Sequence, residues 1–207
     1  MTQVDLLKDQ PQLYQAAPRE VAFVEVPPLH FLMADGVGDP DLAPEFRETV
    51  EALFKASYTL KFMVKKRQGV DYRVLPLEGL WAMADGGPFD PAARDRWRWT
   101  LMVRQPDLVD AGMVSQALKE AQRKKKLPSL EGVRFARFAE GLSAQVLHVG
   151  PYGDEAATME RLHRAIKEKG YHFAGLHHEI YLNDPRRTAP ANLKTIIRQP
   201  VTLEAMK

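Results

Sequence analysis

The 207-residue chain has no cysteine. That removes disulfides, thiolate nucleophiles and cysteine-based zinc sites together, and it fits a reducing compartment. Long apolar runs are missing as well. No stretch approaches the roughly 20 consecutive apolar residues a membrane-crossing helix needs. The first twenty residues scatter charges where a signal peptide requires an apolar centre. The expectation is a cytoplasmic protein that makes no use of a membrane. An excess of one charge is also lacking: 29 basic residues face 27 acidic ones, for a formal net charge of +2. Near balance argues against a broad phosphate-binding surface, so no nucleic-acid partner is expected. The densest basic runs, Arg123 to Lys126 and Lys65-Lys66-Arg67, read as the last turns of helices, where cations complement the negative end of the helix dipole. The chain carries no phosphate-cradling glycine loop ending in Lys-Ser/Thr, no dinucleotide fingerprint and no nucleophile elbow, so no cofactor is expected.

What is present is an ordinary globular composition, 45% hydrophobic and 27% charged, on a chain long enough to bury a substantial core. The chain also repeats itself. Thr100-Leu101-Met102-Val103-Arg104-Gln105-Pro106 and Thr195-Ile196-Ile197-Arg198-Gln199-Pro200 are β-prone runs stopped by proline, and the elements in front of them correspond in order. In the second half, a strand at 144–149 ends at Gly150-Pro151-Tyr152-Gly153. A helix follows from about Asp154 to Lys169, with Met159, Leu162 and Ile166 on one face, Asp154 as cap and Gly170 just past its end. A strand from Leu176 to Leu182 comes next. The first half offers a strand from about Val21 to Ala34 and the turn-like Asp35-Gly36-Val37-Gly38-Asp39. Its helix is opened by Pro44, with the stripe Phe46, Val50, Leu53, Phe54, and its last two strands are Tyr72 to Met83 and Trp97 to Arg104. Between the halves stand a helix from Asp110 to Lys126 and an extra strand, Val133 to Phe138.

The expected fold is therefore α+β: tandem βαββ repeats with pseudo-twofold symmetry, antiparallel-rich sheets with helices on one face, and a ligand groove between the repeats. The first repeat spans about 21–106, the connecting helix and strand about 110–138, and the second repeat about 142–203, all within one domain. The sequence sets no oligomeric state.

His177-His178-Glu179 resembles a metal cluster at first sight. On a strand, however, neighbouring side chains point to opposite faces, so both histidines cannot readily reach one ion and no metal is expected. Alternation instead puts His177, Glu179 and Tyr181 on one face and His178, Ile180 and Leu182 on the other. If Ile180 and Leu182 face the helices, Glu179 faces the groove; the alternative is a solvated strand glutamate. Trp81 shares a strand face with Leu77 and Met83, Trp97 and Trp99 share a face of the next strand, and Tyr58, Tyr72, Tyr152 and Tyr181 add further rings. Such rings serve a core as well as a pocket for flat apolar ligands, and spacing leaves both open.

Leu147-His148-Val149-Gly150-Pro151-Tyr152, Gly175 through Leu182 and the closing Arg198-Gln199-Pro200-Val201 resemble the GyrI-like effector-binding family, itself a tandem βαββ fold. The resemblance covers most of the chain. It implies that Glu179 sits among aromatic rings and meets lipophilic, often cationic, ligands, with Tyr181 two positions on. Many members carry an amino-terminal helix-turn-helix and regulate transcription; here about twenty residues precede the first strand, which is too few. Tyr58 to Phe62, Leu77 to Trp81 and Arg96 to Met102 are similar to a stand-alone branch to which hydrolysis of cyclopropanoid genotoxins of the yatakemycin and duocarmycin type is assigned, a detoxifying activity. The resemblance thus implies a planar lipophilic small-molecule partner and two functions. In one, Glu179 activates water to open a cyclopropane, Tyr181 or Tyr152 hydrogen-bonds the developing oxyanion, and Trp81, Trp97 and Trp99, with Tyr58 and Met83, line the ligand site. In the other, a non-catalytic module sequesters lipophilic cations against an ionised Glu179. A domain that only binds a protein partner is the third.

Overall fold

The computed structural model describes residues 2–87, 89–90 and 92–203. It is α+β, with antiparallel main sheets, and divides into two compact units: residues 2–9 with 29–138, and residues 10–28 with 139–203.

In the first unit the strand read from the sequence as 21–34 begins only at Leu29. Pro27-Pro28 interrupts the run, because two successive residues without N–H groups cannot continue a ladder, and leaves β2 (Ala22–Val26) in front and β3 (Leu29–Val37) behind. Before them lie β1 (Thr2–Val4) and the single-turn α1 (Leu6–Asp9). Helix α2 (Pro44–Gln68) starts with proline in its first turn, where no N–H is needed, and closes with Lys65, Lys66 and Arg67 as expected. Its buried stripe is Ala52, Leu53, Ala56, Leu60 and Val64. Strand β4 (Val70–Tyr72) pairs in parallel with β1. Strands β5 (Leu77–Met83) and β6 (Trp97–Gln105) follow, then α3 (Ala111–Lys124) and β7 (Arg134–Phe138). Asp110 caps α3 by accepting a hydrogen bond from the Met113 N–H at 2.8 Å. The sheet order is β5-β6-β3-β7, antiparallel throughout.

The second unit holds β2, β8 (Gly141–Val149), α4 (Ala156–Glu168), β9 (His172–Phe173), β10 (His177–Tyr181) and β11 (Lys194–Thr202). Its main sheet runs β2-β8-β11-β10, again antiparallel, and β9 pairs with β11. Gly170 takes φ +77 just beyond α4, the left-handed position the sequence marks for glycine. Strand β11 runs through Pro200 instead of stopping before it: the Pro200 carbonyl accepts from the Ala174 N–H at 2.8 Å, and the Gln199 side-chain amide donates to the Ala174 carbonyl at 2.7 Å.

The βαββ order is thus the same twice: β3-α2-β5-β6, with β4 between, and β8-α4-β10-β11. In each, the last strand lies between the first and the second, and a fourth strand borders the first. Strand register extends the match. Val103 and Ile197, each preceding Arg-Gln-Pro, pair with Leu77 and Glu179 respectively. The position of Leu77 in the first unit is therefore the position of Glu179 in the second.

Candidate functional site

Paired residues on neighbouring antiparallel strands share a face. Glu179 pairs with Ile197, and Ile197 packs with Ala144 and Val146 of the sheet against Leu162 and Ile166 of α4. Glu179 consequently looks toward the α4 side of its sheet, while Ile180 lies on the far face. The conditional expectation that Ile180 faces the helix is reversed. The alternation itself is as read: His177, Glu179 and Tyr181 stand together.

They stand in contact. The Tyr181 hydroxyl donates to Glu179 Oε2 at 2.7 Å, and His177 Nε2 lies 3.0 Å from Oε1. The Glu179 side chain is 13% exposed and that of His177 6%. Burial pushes the Glu179 carboxyl up, but the hydrogen bond and attraction from His177, the Tyr181 hydroxyl and a bond from Glu155 outweigh it, and the group ends below its ordinary value. Glu179 is ionised. From α4, His163 stands near His177 and leans on Phe173, the rings tilted with centroids 4.7 Å apart; burial first, then the charge of His177, lowers its pKa.

Glu155 reaches the same carboxylate. It occupies the residue before α4, where the sequence suggests a cap at Asp154. Residues 152–154 form instead a short 3-10 turn, and Glu155 makes no side-chain cap bond. Its carboxyl turns inward and bonds Glu179. Burial, then repulsion from the Glu179 charge, raises Glu155 to about 9, so at neutral pH it is an uncharged acid. Tyr152, 40% exposed, stands edge-on to Tyr181 with centroids 5.5 Å apart. Burial, followed by the charges of Glu155, Glu179 and Asp184, raises its hydroxyl to about 12, so the phenol keeps its proton and can donate it in a hydrogen bond.

The opposite face of the same strand carries a second buried polar group. His178 Nδ1 lies 2.9 Å from Glu140 Oε1, and Arg198 donates to Glu140 at 3.2 Å, to Gln145 at 3.0 Å and to the Leu13 carbonyl. Burial opposes the Glu140 charge, but His178 and Arg198 hold its carboxyl below the usual range. With every partner matched, this network anchors residues 10–28 to the sheet.

The other residues singled out from the sequence gather in the first unit. Trp81, Trp97 and Trp99 pack with Phe46 of α2: Trp81 and Trp97 centroids are 5.4 Å apart and Phe46 and Trp99 5.2 Å. Trp99, Trp81 and Met83 are 1%, 4% and 3% exposed, whereas Trp97 is half-buried. Tyr58 is exposed on α2 and stacks on Phe62. Sequence reasoning missed Glu155 and the part played by His177. Glu155 does leave a trace: with Met159, Leu162 and Ile166 it completes the helical spacing i, i+4, i+7, i+11, an acidic residue on an apolar stripe.

Among the described residues no helix is long and apolar enough to cross a membrane, and no three His, Asp or Glu side chains are grouped so as to hold a metal ion. Two surface depressions, about 200 Å³ beside Lys61, Asp71 and Arg73 and about 410 Å³ beside Gln15 and Glu20, are lined by residues other than the Glu179 cluster.

Residues 19–202 match the model of the GyrI-like small molecule binding domain. Among solved structures, an uncharacterized conserved protein from Listeria innocua is 38% identical, with a TM-score of 0.88 over 96% of this chain and 100% of its own. A hydrolase encoded by lin2189 from the same organism is 36% identical, with a TM-score of 0.87 over 97% and 100%. The C-terminal domain of EcmrR, 14% identical over 88% and 97% with a TM-score of 0.55, shares the fold. No curated protein matches.

Proposed function

Because this chain belongs to the GyrI-like small-molecule-binding domain family, we propose that it takes a planar lipophilic small molecule at the Glu179 cluster and hydrolyses it, the substrate being a cyclopropanoid genotoxin of the yatakemycin and duocarmycin type. The observation that carries this reading is the buried, ionised Glu179 carboxylate, aimed by His177 and Tyr181. A strained cyclopropane conjugated to a dienone opens when water attacks its methylene carbon and the electrons of the broken bond reach the carbonyl oxygen. Such a reaction needs a base for the water and a donor for the oxygen. Glu179 is the base. Tyr152, which keeps its proton and has exposed area, is the donor that holds the oxygen. Tyr181 spends its hydroxyl proton on Glu179, so its task is to fix the carboxylate and offer a ring edge. The 36% identical Listeria protein named a hydrolase supports turnover as a class.

A second reading keeps the site and drops the chemistry. An ionised carboxylate beside two tyrosine rings also suits a lipophilic cation, held by opposite charge and ring faces. Incubation with a duocarmycin-type alkylator, followed by mass spectrometry, separates the two. Ring-opened product in excess of protein, lost in Glu179→Gln, is the expected result. Protection limited to one equivalent, with no product, sinks the hydrolase and leaves the binder. Trp97 and Tyr58, whose rings retain exposed area, are proposed as stacking surfaces for a planar guest; tryptophan quenching in Trp97→Phe and Tyr58→Ala reads this independently.

A further inference from the structure

Glu155 is placed against its own interest. A carboxylate at the start of a helix gains by bonding the first free N–H groups and by the positive end of the helix dipole. Glu155 makes no cap bond, is 6% exposed, and its Oε1 is buried without a hydrogen-bond partner among the described residues; the Thr195 hydroxyl is the side chain that favours its charge, against burial and Glu179. A buried carboxylate with so little support would be costly, whereas a carboxylic acid that gives its own proton to a neighbour is not. The neighbour is Glu179, which already accepts from Tyr181 and His177. Two carboxyls in contact cannot both ionise, and the one with donors keeps the charge.

We infer that Glu155 and Glu179 divide the hydrolysis between them, Glu179 as the base that takes a proton from water and Glu155 as the acid that delivers one to the oxygen receiving the electrons. The assignment rests on the hydrolase reading above. In the step, the water oxygen bonds to the cyclopropane methylene as one ring carbon–carbon bond breaks. The released pair passes through the dienone to its carbonyl oxygen, the water proton goes to Glu179, and the Glu155 proton, turned from Glu179 to the bound substrate, makes that oxygen a phenol. Water is added and nothing is oxidised. Afterwards Glu179 is neutral and Glu155 charged, and one proton crossing the bond between them restores the start without exchange with solvent. The raised Glu155 and lowered Glu179 values are the order this division requires. The titratable groups facing the pair are His177 and Tyr181 from β10, His163 from α4 through His177, and Tyr152 from the preceding turn with Asp184 beyond it.

The test is the pH–rate profile of the wild-type chain and of Glu155→Gln on a duocarmycin-type spirocyclopropyl dienone. Glutamine keeps an N–H for Glu179 but has no proton to deliver. The wild type should lose kcat above about pH 9. The variant should lose roughly 100-fold or more in kcat with that alkaline limb gone, while ligand affinity, read by tryptophan quenching, changes less than about threefold. A variant with near-normal kcat, or a lowered rate whose alkaline limb is unchanged, overturns the assignment. Should Glu155→Gln fail to fold, the infrared band of a buried protonated carboxyl in the wild type decides: present at pH 7 and lost near pH 9 is expected, and absent at pH 7 overturns it. A wild type that turns over nothing sinks the hydrolase reading and this assignment together, whereas turnover that survives Glu155→Gln sinks only the assignment.

Discussion

The two units share a strand order and a register, yet the layer between helix and sheet is filled in opposite ways. In the first unit β5 puts Leu77, Gly79, Trp81 and Met83 on the face where β6 carries Trp97 and Trp99, and Phe46 of α2 packs on two of the tryptophans. In the second, the matching strand puts His177, Glu179 and Tyr181 there, and the start of α4 adds Glu155. One layer is a dry aromatic core; the other is an acid–base cluster. Backbone pairing fixes where a side chain stands, and leaves open whether the position carries an apolar ring or an ionisable group. The acid–base layer is tolerated because each charge has partners, the condition under which a buried carboxylate is not ruinous.

The largest effect expected from breaking this arrangement comes from the polar network behind Glu179. Arg198→Ala leaves Glu140 buried beside His178 alone and should cost about 3–5 kcal/mol in denaturant unfolding, with the second unit losing amide protection first. A loss below about 1 kcal/mol would mean that the network is not what secures residues 10–28. Next in size is Tyr181→Phe. It deletes a 2.7 Å bond to a carboxylate, worth about 1.5–3 kcal/mol, and should move the acid limb of activity upward by about one pH unit as Glu179 becomes easier to protonate.

The aromatic layer has its own probe in Gly36, which pairs with Trp99. A Cβ there would lie 2.0 Å from the Trp99 ring, so Gly36→Ala should destabilise the first unit by about 1–3 kcal/mol and alter tryptophan fluorescence, while the pH dependence of the Glu179 cluster stays the same. The smallest effect is on stability against pH. Glu155 has a folded value of about 9 against an ordinary 4.5, so between those limits the folded chain holds a proton that the unfolded chain has shed. Its contribution is complete below about pH 4.5 and falls away as pH rises to about 9. Glu179, lowered on folding, contributes above its ordinary value and is lost as pH falls through its folded one. The melting temperature of Glu155→Gln relative to wild type should therefore rise from pH 5 to pH 9, and a constant difference would place the Glu155 proton elsewhere.

Much of this was legible beforehand where the cause is local. Gly170 past the end of α4, Pro44 in the first turn of α2 and the basic last turn at Lys65 to Arg67 are choices the backbone imposes on nearby residues, and each appears where expected. The alternation that groups His177, Glu179 and Tyr181 is of the same kind. Signals that depend on a distant partner went astray. Gly36 looks like a turn residue and is a strand residue that yields space to Trp99. Asp154 looks like the cap of α4, while Glu155, the next residue, forgoes capping to reach Glu179.

By itself the sequence determined the duplicated βαββ order, the family it belongs to, and the pair of side chains, Glu179 and Tyr181, that share a strand face, because strand period, helix stripe and turn chemistry act over a few residues. Only the tertiary structure decided that this face lies under α4, that Trp81 and Trp99 are core, and that Glu155 is brought against Glu179. Those outcomes depend on burial and on charges brought together from separate elements, and both come into being only when the chain packs.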